Sequence, residues 1–211
     1  MEFRRVWRYR EDIRRILADQ GRPVEDLRTL ARRLGRLLND RLDSQFHWNP
    51  SPVLDRGQLV LSGHYEFDTK VQPMKIWINT HPDSRTYYWG RGDAVTWTKF
   101  VWDLSECVMH EKVHYLQHRA RRGIDLYCRE TYDDADRNYY SDPDEIDAYA
   151  WSLVSECMDR KGLAELVYPN KDIATVWWNY QSLFPAGHPV RRRLLKKSYK
   201  RLIQVLEHGT R

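Results

Sequence analysis

Residues 110–114 read His-Glu-Lys-Val-His, a pattern that carries chemistry only if the chain is α-helical there. On a helix, positions i and i+4 stand one above the other on the same face. The rings of His110 and His114 can then aim at one point and hold a single Zn²⁺. Glu111 follows roughly 100° further around the helix, which sets its carboxylate beside such an ion, where it can take a proton from a water. The surrounding sequence predicts that helix. In DLSECVMHEKVHYLQHRARRG (103–123), Asp103 is a candidate cap, with Glu106 three residues on. Arg119, Arg121 and Arg122 gather at the far end, and Gly123 can terminate it. Met109, Val113, Leu116 and Ala120 make a stripe for the core, whereas Ser105, Lys112 and Arg119, at heptad spacing, are expected to meet solvent.

A catalytic zinc takes three protein ligands and leaves one position open. Cys107, His118 and Glu145 are the candidates for the third. His118 stands about 12 Å along the axis from His110, and Cys107 about 10 Å from His114, so neither can share an ion with both rings on a straight helix. Glu145 comes far enough after His114 for an irregular connection and a return helix. In DPDEIDAYAWSLVSECMDRKG (142–162), Asp142 is a cap, Pro143 suits the first helical position and Gly162 can end the run. Glu145 thus falls in a first turn, where its carboxylate can swing onto an ion held by the preceding helix. The small Ala148 lets the two helices come close. Two alternatives stay open: Glu145 completes a capping box with Asp142, or Asp144 or Asp147 ligates in its place.

The rest of the chain supplies a scaffold. Residues 3–19 have a helical apolar period, QGRP breaks it, and Pro23 is expected to open a second helix. That helix would hold Glu25 and Asp26 in its first turn and Leu27, Leu30, Leu34, Leu37 and Leu38 along one stripe, making a helical hairpin over 1–50. Pro50 and Pro52 mark 44–57 as loop. QLVLSGHYEFD (58–68) and PMKIWINTHP (73–82) alternate as strands and predict an antiparallel hairpin, with a bulge at Gly63 and a third strand around Tyr87–Trp89. Residues 124–142 read as irregular, acidic and tyrosine-rich. Helices follow over 170–184 and from Pro189 onward, the last with Val190, Leu194/Leu195, Leu202 and Val205/Leu206 on its apolar face. The expectation is one α+β domain over 1–211, mostly helical. In it a small antiparallel sheet packs on the motif helix (55–160), flanked by N-terminal and C-terminal helices (1–50 and 165–211).

Charge and cysteine usage narrow the class. The formal net charge is +5, but thirty acidic residues are mixed among thirty-five basic ones, which reads as a solvated charged surface. Cys107, Cys128 and Cys157 form no C-x-x-C pair and leave one over, which excludes a disulfide framework and a zinc ribbon and suits a reducing compartment. No apolar h-region follows the basic start, and no stretch approaches a bilayer span. A soluble, cytoplasmic protein without a membrane partner is expected.

HEKVHYLQH followed by YYSDPDEIDAYAWSL resembles the zincin metallopeptidases of the gluzincin type, in which HExxH is joined by a downstream Glu from a second helix. The E-x-x-A-x-A form is similar to the ImmA/IrrE-like group and to small metallopeptidase-like proteins of bacteria and phages. The resemblance spans roughly residues 55–160 and implies His110, His114 and Glu145 as zinc ligands, Glu111 as general base and a peptide or protein substrate. It also implies a sheet edge over the site, with 73–82 as the candidate, on which an extended peptide can pair. Lys112 stands where such families carry an apolar residue, and the oxyanion donor is left open among Tyr139, Tyr140, Tyr149 and His118. Two other functions compete with hydrolysis. One is a zincin-like fold that binds without cutting. The other is nucleic-acid binding, through RRRLLKKSYKR, the arginine-rich first helices and RTYYWGR.

Overall fold

The computed structural model describes residues 3–42, 44–66, 74–92, 94–121, 132–160 and 174–208. The protein is α+β and mostly helical. Its contacts gather into two compact units, Arg8–Lys112, and Met1–Trp7 with Val113–Arg211. The helix stops expected at Gly123 and Gly162, the turn between the two predicted strands, Cys128 and the stretch 124–131 lie outside the described residues, as does the expected helix start at Asn170.

The first unit holds most of α1 (Phe3–Leu17), β1 (Val24–Asp26), α2 (Leu27–Leu42), β2 (Ser44–Pro50), β3 (Leu59–Tyr65), β4 (Met74–Thr80), β5 (Thr86–Tyr88) and the beginning of α3 (Trp97–Ala120). Met74, Ile76 and Ile78 alternate inward along β4, as the sequence predicts. They share one core with Phe46 of β2, with Leu27, Leu30, Leu34, Leu38 and Leu42 of α2, and with Phe100, Val101, Leu104 and Val108 of α3. Each fully buried Leu contributes about 1.5–3 kcal/mol of apolar burial. Sheet and motif helix are therefore fixed against each other by a common core.

Several expectations are corrected in this unit. The sheet is mixed rather than antiparallel, in the order β2-β4-β3, because residues 44–50 form a strand parallel to β4 instead of a loop. Parallel pairing is non-local and leaves no hairpin signature. Pro50 is tolerated because it closes an edge strand. The strand β4 cannot offer the free edge expected of 73–82, since β2 and β3 occupy both its sides; among the described residues β2 and β3 are the two outer strands. The register of β3 with β4 runs unbroken through Gly63, with no bulge there. Finally, Pro23 opens no helix. Val24–Asp26 pairs with β5 in a separate two-stranded ladder, and the Asp26 carboxylate caps α2 by accepting from the Thr29 amide at 2.9 Å. Glu25 is buried there against Arg33, and burial raises its carboxyl above the ordinary range in spite of that guanidinium.

Helix α3 starts at Trp97, earlier than the expected Asp103. The Thr96 hydroxyl accepts from the Lys99 amide at 3.2 Å, while Asp103 lies inside the helix and pairs with Lys99 at 2.7 Å. Ser105 and Lys112 are buried, against the expectation of a solvent-facing stripe, because α1 covers that side. Arg14 donates to the Ser105 hydroxyl at 2.9 Å, and the Lys112 ammonium stands 5.2 Å over the Tyr9 ring. The ring face offsets part of the cost of burying that charge. Arg119 is exposed as expected, but so is Ala120.

The second unit holds the end of α3, then α4 (Ala135–Ser141), α5 (Pro143–Arg160), α6 (Thr175–Leu183) and α7 (Pro189–His208). Buried Ala148, Trp151, Val154 and Cys157 of α5 pack with Val190, Leu194, Leu202 and Val205 of α7. Within that contact Arg201 donates to both oxygens of Asp147, at 2.6 and 2.8 Å, and its guanidinium lies 5.1 Å over Trp151. Removing one partner of a buried pair strands the other charge. Asp147→Ala is expected to lower the unfolding free energy by about 3 kcal/mol in a denaturant titration. A midpoint unchanged from the parent chain would show that the pair contributes nothing. Among the described residues no helix is long and apolar enough to cross a membrane.

Candidate metal centre

Helix α3 carries His110 and His114 one turn apart, and the first turn of α5 carries Glu145. One ligand atom from each of the three lies within 4.8 Å of the others. The His114 Nε2 and Glu145 Oε1 atoms are 3.3 Å apart. Bonds of about 2.0–2.1 Å in a tetrahedron place neighbouring donors roughly 3.3 Å apart, so this spacing suits a small divalent ion. Two imidazoles and one carboxylate form a donor set that zinc accepts.

The start of α5 explains why Glu145 is available. Asp142 caps the helix by accepting from the Asp144 amide at 2.7 Å. Its own amide donates to the Tyr139 carbonyl at 3.2 Å, so a capping box would find no Asp142 N–H to bind. The neighbouring aspartates are engaged elsewhere, Asp144 with Arg121 and Asp147 with Arg201. Burial, then the nearby Glu111 and Asp103, push the Cys107 thiol well above its ordinary range, and a protonated thiol is a poor ligand. Neither Cys107 nor His118 joins the cluster among the described residues.

Two further contacts shape the site. The first was not anticipated from the sequence. Gln117, buried one turn beyond His114, brings its Oε1 to 3.0 Å from His114 Nδ1, and its Nε2 donates to the Asp144 carbonyl at 3.1 Å. Its i+3 spacing from His114 was the available signal. The second involves Glu111, which is buried against β3. A Cβ built on Gly63 would stand 2.5 Å from Glu111 Cγ and 2.7 Å from its Oε1. Only glycine lets the strand pass this close to the carboxylate.

Tyrosines gather behind Glu145. Tyr149 stacks on Tyr140 with ring centroids 5.1 Å apart, and Tyr180 of α6 meets Tyr140 edge-on at 5.2 Å. Tyr180 is fully enclosed, and its hydroxyl has no hydrogen-bond partner among the described residues. Burial, followed by Tyr149 and Glu145, holds its phenol far above the ordinary value; burial does the same for Tyr149. Burial thus favours the protonated phenol at both positions. Tyr180 stands in a helix remote in sequence, with no spacing to announce it, whereas Tyr139 is largely exposed.

Comparison with protein-family models, with characterised proteins and with solved structures returns no match.

Proposed function

We propose that the chain is a zinc-dependent peptidase of the gluzincin type, akin to the ImmA/IrrE-like group, working on a peptide or protein substrate in a reducing, cytoplasmic setting. The observation that carries the reading is the arrival of Glu145, from a different helix, beside the two histidines. His110, His114 and Glu145 would hold the ion. Zinc bound there supplies Lewis-acid polarisation of a carbonyl and activation of water at neutral pH.

The chain's own groups do the remainder. The Glu111 carboxylate, held against Gly63, accepts the proton of the attacking water and passes it to the departing amine. The neutral phenol of Tyr149, which is only partly buried, supplies an O–H to developing negative charge. The outer strand β3 passes beside Glu111, so an extended peptide paired on its edge, which no described strand occupies, would bring its backbone to the proton acceptor.

A quenched-fluorescence peptide library incubated with zinc-loaded protein tests this. Cleavage that a chelator abolishes and added zinc restores is the expected result. A protein that binds zinc yet cuts nothing would instead be a binding module built on the same geometry.

A further inference from the structure

We infer that Gln117 is a positioning residue that fixes the tautomer of His114 and so keeps its Nε2 free to bind metal. The role of His114 as a ligand comes from the function proposed above, but the tautomer itself follows from hydrogen bonding alone.

The Asp144 carbonyl can only accept a hydrogen bond. The Gln117 nitrogen 3.1 Å from it must therefore be the amide NH₂, and this orients the whole side chain. The Gln117 oxygen is then the atom 3.0 Å from His114 Nδ1. An amide oxygen is also purely an acceptor, so Nδ1 has to carry the hydrogen. In the neutral ring, Nε2 is left with its lone pair, directed at Glu145 Oε1 3.3 Å away. Two acceptors at that separation repel unless positive charge lies between them, which either a second proton on the ring or a divalent ion supplies.

Gln117 does this with both ends of one amide. Its oxygen sets the ring of the α3 ligand, while its NH₂ holds the carbonyl of the residue just before the α5 ligand. Arg121 reinforces the tie by donating to the Gln117 carbonyl at 3.2 Å and pairing with the Asp144 carboxylate. Glu145 and His114 are thus positioned by one buried side chain, of the kind whose loss weakens metal binding about 10- to 100-fold.

The test uses the full chain with uniformly ¹⁵N-labelled histidine, first without metal and at a pH where the ring is neutral. The expected spectrum shows Nδ1 of His114 protonated and Nε2 bare. Gln117→Leu, which keeps the bulk and removes the acceptor, should move the ring toward the Nε2–H form and lower Zn²⁺ affinity about 10- to 100-fold in competition with a chromophoric chelator. Gln117→Glu restores the acceptor and should recover the original tautomer. Wild-type His114 carrying its hydrogen on Nε2 would overturn the inference, even if the leucine variant failed to fold. So would a folded Gln117→Leu with both tautomer and Zn²⁺ affinity unchanged. The expected tautomer in a chain that takes up no zinc would support the role of Gln117 while removing the peptidase reading.

Discussion

Glu111→Gln should bind zinc as the parent chain does and lose about 10²- to 10⁴-fold in kcat, the usual contribution of a positioned proton acceptor. The side chain is buried, so an amide of the same shape keeps its packing and removes only its basicity. Glutamine at this position cannot take the proton of the attacking water. Metal content and peptide turnover measured on the same preparation separate the two roles. Activity within a few-fold of the parent would remove Glu111 from the mechanism.

Gly63→Val is expected to be nearly as damaging, for a steric reason. The Cβ at 63 would fall 2.5 Å from Glu111 Cγ, so the carboxylate must move. A displacement of about 1 Å in a reacting group can cost about 10²-fold. Valine is a better strand residue than glycine, so a general loss of sheet stability is not the expected cause. Zinc affinity should stay at the parent level because none of the three candidate ligands is touched. In the Glu111→Gln background the valine should cost little more, since both changes act through one group. Independent losses that simply multiply would show that Gly63 matters for some other reason.

The sequence reading succeeded where the information is local. HExxH on a helix, the Asp142-Pro143 start of α5 and the alternation of β4 are short-range patterns, and each stands where expected. The three polar residues found together, His110, His114 and Glu145, follow from two such patterns in the right order. What escaped was non-local. The burial of Lys112 depends on Tyr9 from a distant helix, and β2 exists only through its parallel partner. Beyond its spacing from His114, nothing in the sequence singles out Gln117, because its second partner belongs to α5. Tyr180 reaches the neighbourhood of Glu145 from α6, at a sequence separation that no periodicity reports.

The expected α3 cap at Asp103 illustrates a different limit. Asp103 and Glu106 have the spacing of a capping box, yet the helix begins about two turns earlier, at Trp97. Trp97 donates to the Leu17 carbonyl at 2.9 Å and packs edge-on against Trp89, so tertiary contacts extend the helix past its sequence-level stop. Glu106 accepts instead from Arg10 and Arg14.

The most direct measurement is zinc stoichiometry and affinity for the purified chain beside Glu145→Ala and His114→Ala. The account predicts one zinc per parent chain and a large loss of affinity in both variants, with folding retained. A parent chain that takes up no zinc, or a Glu145→Ala protein that binds it as tightly, would contradict the claim that side chains from two helices close on one ion.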